Sequence, residues 1–279
     1  MAHPFIPEGA SVAVAAASAF LHIFPHDFAR YLIGAGGVYL IVNLAFARRL
    51  AGRKIRPSSP GGKQMRREFV TSLRTTAVFT MAGVVSVLGA QAGIIQTYYA
   101  AAERGWGYFW FSLLALIVLQ TRGLLDASDP PSAPLPARSP HPPQIKQPSP
   151  WTAYSFDVSE AAINAVFLPL ALIVLPTSYI AIFLFLLHMI VRNAIGHCGY
   201  ELMPSRRNGR PLIGWMTTVT HHDLHHAQAG WNYGLYFTWW DRMMGTEHPL
   251  YLEKFAAAVR KPLDGSAVGA LGRLAHAAE

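Results

Sequence analysis

The sequence predicts an all-α fold, an integral membrane helical bundle with a histidine-rich helical cap on its cytoplasmic side. Three observations support this prediction: long apolar segments, basic residues clustered between and after them, and a tight group of histidines behind the last one. Charged residues make up 14% of the chain and hydrophobic residues 52%, whereas a typical soluble domain is about 25% charged. This composition argues against an ordinary soluble globule and against a disordered chain.

Long apolar segments are the candidates for membrane helices. A helix that crosses the hydrocarbon core needs about 20 apolar residues, with a range of about 17–25. The last segment has 31 residues and contains Pro169 and Pro176, so we expect either a tight hairpin or one long helix kinked at proline. In chain order, the segments are residues 10–24, 31–47, 77–95, 107–120 and 161–191.

Basic residues predict which side of the membrane the loops occupy. Short loops rich in Lys and Arg stay in the cytoplasm, so residues 48–76, 122–160 and 192–279 are predicted to be cytoplasmic. A nucleic-acid-binding patch is a poor alternative, because the main basic run lies between apolar segments and carries no interleaved aromatic residues. That run consists of Arg48, Arg49, Arg53, Lys54, Arg56, Lys63, Arg66, Arg67 and Arg74.

The histidine cluster is the sharpest local signal. Residues 220–226 read Thr-His-His-Asp-Leu-His-His, and His222, His225 and His226 form an H-x-x-H-H pattern. Positions i, i+3 and i+4 share one face of a helix, so these imidazoles can converge on one metal ion. Imidazole suits iron, zinc, copper and nickel alike. An exposed His-rich turn, or core histidines bonded to the backbone, is the alternative.

Further candidate ligands lie beside the cluster and upstream of it. His221 belongs to the same run, and His197 lies in the stretch RNAIGHCGYE. His188 lies nine residues before His197 in the last apolar segment. An ionisable residue in a membrane segment is a candidate functional group, so His188 is expected to be a ligand or the partner of a ligand.

Nearby polar residues are candidates for orienting the ligands. The imidazole N–H of a metal-bound histidine usually donates to a carboxylate or a carbonyl group. Asp223 and Glu201 are therefore expected to accept from imidazole N–H groups, and Asn193 and Asn232 are further candidates. Asp241 is another, although a plain ion pair with its neighbour Arg242 explains it equally well.

Several stretches carry a resemblance to a known family. They are RPSSPGGKQMRREFVTSLRTTAVF, PSPWTAYSFDVSEAAINAVFLPL, RNAIGHCGYELMP and THHDLHHAQAGWNYGLYFTWWDRMMGTEHP, and they cover most of residues 57–249. The chain resembles the fatty acid hydroxylase superfamily, also called the sterol desaturase family. The resemblance implies a membrane enzyme with a cytosolic, His-ligated di-iron centre. Such enzymes use O2 and an electron donor, unidentified here, to hydroxylate or desaturate a lipid tail or a sterol, because oxidising an unactivated C–H bond requires a redox cofactor.

The resemblance also suggests a domain division and a location. Residues 1–56 are expected to form N-terminal membrane helices, residues 57–250 the hydroxylase-like membrane domain, and residues 251–279 a tail. The compact length and the lack of a retention signal favour a bacterial inner membrane.

One segment departs from the family pattern. The family carries three His boxes, but RGLLDASDPPSAPLPARSPHPPQIKQPSP, where the first two are expected, contains a single histidine, His141. Three explanations stay open: a degenerate member, ligation by Asp126 and Asp129, or a local frameshift, since a one-base shift with permitted codons restores both boxes. Two functions therefore stay open as well, a lipid hydroxylase or desaturase and a non-catalytic membrane or lipid-binding protein. A zinc hydrolase is disfavoured because H-E-x-x-H is absent from the sequence.

Overall fold

A computed structural model describes residues 6–121, 148–228 and 230–263. Helices dominate these residues, so the predicted all-α class is confirmed. The helices are α1 Val12–Tyr31, α2 Ala47–Leu50, α3 Gly62–Gln91, α4 Trp106–Thr121, α5 Val158–Val174, α6 Tyr179–Gly196, α7 Val219–Ala227, α8 Trp239–Met244 and α9 Tyr251–Ala258. Two short strands, β1 Thr97–Tyr98 and β2 Thr177–Ser178, pair in parallel.

Three helical stretches among the described residues are long and apolar enough to cross a membrane. They are Val12–Ala45, Gly62–Gln91 and Tyr179–Gly196. Helices α4 and α5 are apolar but shorter. These lengths fit the predicted membrane bundle, because about 20 residues are needed for one crossing.

The two N-terminal apolar segments, predicted as separate helices, form one helical stretch. Helix α1 continues through the π-helical turns Leu32–Gly36 and Tyr39–Ala45. The polar residues that separate the two segments are accommodated inside it. Arg30 Nη2 donates to Asp27 Oδ1 at 2.5 Å, and Thr80 Oγ1 of α3 donates to Asp27 Oδ2 at 2.9 Å. A buried charge is tolerated when it is paired, so the helix does not have to break there.

The long apolar segment 161–191 forms two helices, as a hairpin requires. Helix α5 ends at Val174 and α6 begins at Tyr179, with Pro176 between them. Proline cannot donate to a continuing helix, and it disfavours helical backbone in the residue before it. The two helices pack against each other, with the rings of Phe167 and Phe185 6.0 Å apart between centroids.

The chain divides into two compact units. The first consists of Met1–Gly36, Arg66–Gln120 and Thr152–Val191, and the second of Gly37–Met65, Thr121–Trp151 and Arg192–Glu279. In the first unit, α4, α5 and α6 share an apolar core that includes Phe109, Phe167 and Phe185. The sequence-based boundaries at residues 56 and 250 stay a prediction.

The second unit contains the histidine cluster. Residues 53–55 pair with residues 199–201, since Ile55 N donates to Gly199 O at 3.0 Å and Glu201 N donates to Arg53 O at 2.9 Å. Leu224 of α7 packs with Tyr251 and Phe255 of α9 in a small apolar core. This core fixes one side of α7 and leaves another side for the histidines.

Candidate metal centre

The end of α6 approaches α7 closely at a glycine. A Cβ atom added at Gly196 would lie 2.8 Å from Cδ2 of His222, closer than such atoms approach, so only glycine fits there without displacing the ring. His197 follows directly and is buried. The chain then turns at Gly199, which has φ +78°, and this turn brings Glu201 back towards the start of α7.

Two side chains fix the N-terminus of α7. Thr218 Oγ1 accepts from His221 N at 3.1 Å, and Glu201 Oε2 accepts from Thr220 N at 2.8 Å. Glu201 is fully buried, and its other oxygen accepts from Met203 N at 2.8 Å. Burial raises the pKa of Glu201, while its hydrogen bonds to Thr220 and Met203 act in the opposite direction. Because Glu201 follows His197 by four residues, it ties α7 to the segment that carries His197.

Three imidazoles meet at this point. The Nε2 atoms of His197 and His226 are 2.8 Å apart, those of His197 and His222 2.9 Å, and those of His222 and His226 3.2 Å. Among the described residues, these three form a group of metal-ligand type, with their ligand atoms within 4.8 Å of one another. His222 and His226 lie one helical turn apart on α7, and His197 joins them from the end of α6.

The donor set fits a transition metal ion. Nitrogens about 3 Å apart can all lie about 2.0–2.1 Å from one point, the usual metal–imidazole distance. They subtend about 90° there, which is closer to one face of an octahedron than to a tetrahedron. Burial, together with the neighbouring imidazoles, lowers the pKa of His197, His222 and His226 well below the ordinary value. The rings are therefore neutral, as metal ligands must be, and a cation would relieve the repulsion between their lone pairs.

The other two histidines of the cluster face different partners. His225 Nδ1 lies 2.9 Å from the carbonyl oxygen of Trp231. His221 is fully buried, with its Nε2 3.5 Å from Asp241 Oδ2 and its ring edge-on to Tyr251. Burial lowers the pKa of His221 to about 3, so His221 is neutral and this contact is not an ion pair. A ligand role for either histidine stays a prediction.

Three of the predicted ligand-orienting residues, Asp223, Glu201 and Asn232, have side-chain partners other than the imidazole rings. Asp223 forms an ion pair with Arg56, whose Nε lies 2.8 Å from Oδ1. Asp223 follows His222 by one residue, which turns its side chain about 100° away around the helix axis. Glu201 caps α7 as described above. Asn232 Nδ2 donates to His221 O at 2.8 Å, and its Oδ1 accepts from His248 N at 2.7 Å. Asn193 is buried, and its backbone carbonyl accepts from His197 N at 3.2 Å.

Asp241 organises the loop that covers α7. Its Oδ1 accepts from Tyr233 N at 2.7 Å and from Thr246 Oγ1 at 2.8 Å, and its Oδ2 accepts from Gly234 N at 2.9 Å. The suggested ion pair with Arg242 is not formed, because Arg242 pairs with Glu247 at 2.9 Å. Asp241 therefore holds the loop together through backbone donors.

The remaining sequence candidates lie elsewhere. His188 belongs to the first unit and precedes His197 by nine residues along α6. Its role as a ligand or as the partner of a ligand stays a prediction. Asp126, Asp129 and His141, together with the frameshift hypothesis for that segment, lie outside the described residues.

A cavity of about 220 Å³ borders His222, one of the three histidines. Its lining includes Arg192, Asn193, Glu201, Thr217, His222 and Leu235. Arg192 Nη2 donates to both oxygen atoms of Thr217 at 3.1 Å. The volume lies below the range of about 300–1,000 Å³ typical of ligand pockets, so this cavity can hold only part of a lipid-sized molecule.

Comparison with known proteins agrees with this site. Residues 141–246 match the model of the fatty acid hydroxylase family, and this range contains His197, His222 and His226. This part of the chain is therefore similar to the fatty acid hydroxylase family. No solved structure matches it significantly.

Three curated proteins that the chain resembles are named as sterol enzymes. Cholesterol 25-hydroxylase of Rattus norvegicus is 48% identical over 50 residues, which are 18% of this chain and 16% of that protein. Methylsterol monooxygenase 1 of Rattus norvegicus is 37% identical over 67 residues, 23% of this chain and 22% of that protein. Delta(7)-sterol 5(6)-desaturase ERG3B of Gibberella zeae is 25% identical over 186 residues, 66% of this chain and 56% of that protein. The match to the first of these relatives therefore spans about a sixth of its length.

Two residues that shape the site were not identified from the sequence. Gly196 allows the close approach to His222, and its position directly before a candidate ligand was the available signal. Arg56 holds Asp223 across 167 residues of sequence, and no local pattern could have indicated that pairing.

Proposed function

We propose that the chain is a membrane-bound, O2-dependent iron oxidoreductase that hydroxylates or desaturates a lipid. The observation that carries this proposal is the convergence of three neutral imidazole nitrogens, each about 3 Å from the others, inside the matched region. Side-chain acid–base chemistry cannot oxidise an unactivated C–H bond, so such a reaction needs a redox metal.

His197, His222 and His226 would hold the iron. Iron accepts imidazole ligands, and when bound it supplies the redox capacity for using O2. The protein contributes the preorganisation of these ligands. Gly196 permits the contact between α6 and α7, Glu201 and Thr218 fix the start of α7, and α9 supports its opposite side. Further ligands for a second iron would have to include groups outside this set of three.

A sterol or a fatty acyl chain is the proposed substrate class. Support comes from the printed names of the relatives, a cholesterol hydroxylase, a methylsterol monooxygenase and a sterol desaturase. The long apolar helices would keep the enzyme in the membrane where such substrates dissolve. The cavity beside His222 would admit the part of the substrate that reacts. O2 and an electron donor are the other partners required.

We propose further that the histidines face the cytoplasm. Eight basic residues and no acidic ones lie at positions 46–67, which follow the end of one candidate span and include the first residues of the next. Such loops stay cytoplasmic, and this loop pairs with residues 199–201 beside His197. The bacterial inner membrane stays a prediction from the sequence.

A catalytically degenerate lipid-binding member is the second candidate. The described residues bring together three ligands, whereas the family pattern implies a di-iron centre. The Pro-rich segment 126–143 stands where two His boxes are expected. Sequencing the gene across this segment separates a frameshift from a true degenerate segment, because only a frameshift restores histidine codons in the shifted frame.

Metal analysis and lipid analysis together test the proposed function. The full chain is purified in detergent, its iron is measured by mass spectrometry, and membranes containing it are assayed for O2-dependent oxidation of sterols and fatty acids. We expect bound iron and oxidised lipid, both lost in His197→Ala and both kept in the neighbouring control Cys198→Ala. An iron-free wild-type chain that leaves lipids unchanged would support the lipid-binding alternative.

A further inference from the structure

The segment at residues 46–67 is strongly and uniformly basic. It contains eight Lys or Arg residues and no Asp or Glu. The candidate span Val12–Ala45 ends directly before it, and the span Gly62–Gln91 begins within it. Because it joins the ends of two spans, the segment lies by connectivity at the depth of the lipid headgroups.

Three of these cations are used within the protein. Arg56 forms the ion pair with Asp223 of α7. Arg53 donates to the carbonyl of Met203, and Lys54 Nζ donates to Pro57 O at 3.1 Å and to Ser59 Oγ at 2.7 Å. The bonds of Arg53 and Arg56 fix the segment against the part of the chain that follows His197. Those of Lys54 lie within the segment.

The other five cations point into solvent. They are Arg48, Arg49, Lys63, Arg66 and Arg67, and each is exposed. Within the described residues, none of the five forms an ion pair with a carboxylate. The segment therefore divides its positive charge between three cations with polar partners in the protein and five exposed cations that form no ion pair within the described residues, of which Arg49 lies over the ring of Phe46.

We propose that residues 46–67 form a binding surface for the phosphate groups of anionic phospholipids. Clusters of four to eight Lys or Arg next to a membrane helix attract anionic headgroups, and each cation adds to the attraction. The headgroups would bind the five outward-facing cations. Their binding would restrain a segment whose Arg53, Ile55 and Arg56 contact residues 199–223, and so would stabilise the fold around His197. This inference does not depend on the proposed oxidoreductase function.

Lipid titration of matched charge variants tests the surface. The full chain in neutral detergent is titrated with phosphatidylglycerol or phosphatidylcholine, and bound lipid and the thermal unfolding midpoint are measured. The test variant combines Arg48→Gln, Arg49→Gln and Lys63→Gln. The control combines Arg207→Gln, Lys254→Gln and Lys261→Gln, which are also exposed cations. Each triple removes three positive charges from the net +8, so overall charge is matched.

We expect the wild type to bind phosphatidylglycerol in preference to phosphatidylcholine and to gain thermal stability from it. The test triple should lose at least about tenfold in apparent affinity, while the control changes by less than about twofold. Added salt should weaken the interaction, because exposed charges are screened. Equal losses in both triples, no loss in the test triple, or no lipid preference in the wild type would overturn the proposal, and the last result would favour an acidic protein partner.

A second variant keeps the proposal testable if the triple variant fails to fold. Arg66→Gln combined with Arg67→Gln alters only the first turns of α3 and leaves the segment before it intact. We expect about a threefold or greater loss of phosphatidylglycerol affinity, with helix content by circular dichroism unchanged. Unchanged affinity in this correctly folded variant would contradict the surface as defined.

Discussion

Helix α7 carries two columns of histidines with different environments. His222 and His226 form one i, i+4 column and meet His197. His221 and His225 form the other, which faces Asp241 of α8 and Trp231 of the loop after α7. The columns are one residue apart, or about 100° around the helix axis. Four histidines that look equivalent in the sequence thus divide by angular position into two columns. We call His222 and His226 the metal column, after the role proposed for them, and His221 and His225 the loop column.

The largest expected effect is the loss of a metal-column ligand. His226→Ala removes one of three nitrogens and leaves His197 and His222 without the third donor. We expect metal affinity to fall by more than about 1,000-fold, or about 4 kcal/mol. Competition with a chelator of known affinity, followed by metal analysis, measures it. An affinity within tenfold of wild type would show that the ligand set is different.

The next effect concerns the loop that faces the second column. Asp241→Ala leaves the N–H groups of Tyr233 and Gly234 and the hydroxyl of Thr246 without their acceptor. Unsatisfied buried donors cost about 1–3 kcal/mol each, so we expect about 3 kcal/mol or more of lost stability, measured by thermal unfolding.

Glu247→Ala is the matched control for Asp241→Ala. It removes a carboxylate from the same loop, but one whose pairing with Arg242 is partly exposed. Exposed pairs contribute less than about 1 kcal/mol. Equal destabilisation by both variants would contradict the organising role of Asp241. If Asp241→Ala lost as much metal affinity as His226→Ala, the two columns would not be functionally separate.

The sequence predicted the helical class and the histidine cluster because both depend on local patterns. Apolar length indicated the long helices, and Pro169 and Pro176 indicated either a hairpin or a kinked helix in segment 161–191, of which the structure has the hairpin. The division of the histidines into two columns was not predictable. The H-x-x-H-H pattern groups His225 with His222 and His226, whereas the i, i+4 spacing separates His225 from them, and the sequence alone does not choose between the two. The partners of Asp223 and Glu201 were also missed, because Arg56 and the N-terminus of α7 reach them through tertiary contacts.

A smaller effect is expected where α6 meets the metal column. Gly196→Ala places a methyl group 2.8 Å from Cδ2 of His222, so the ring has to shift. We expect about a tenfold loss of metal affinity, or about 1.4 kcal/mol. The control is Gly214→Ala, where an added Cβ meets no atom within 4 Å of the described structure. Unchanged metal affinity in Gly196→Ala would mean that the His222 ring can shift without weakening metal binding.

The smallest effect is expected for His225→Ala, the histidine that the family pattern groups with the ligands. In the structure, its Nδ1 lies 2.9 Å from Trp231 O, and the ring is only partly buried, so water can replace it at that carbonyl. We expect metal affinity within about twofold of wild type and about 1 kcal/mol of lost stability. The same chelator competition and thermal unfolding measure both. A loss of metal as complete as in His226→Ala would mean that the His225 ring turns towards a bound ion, and the two columns would then act as one site.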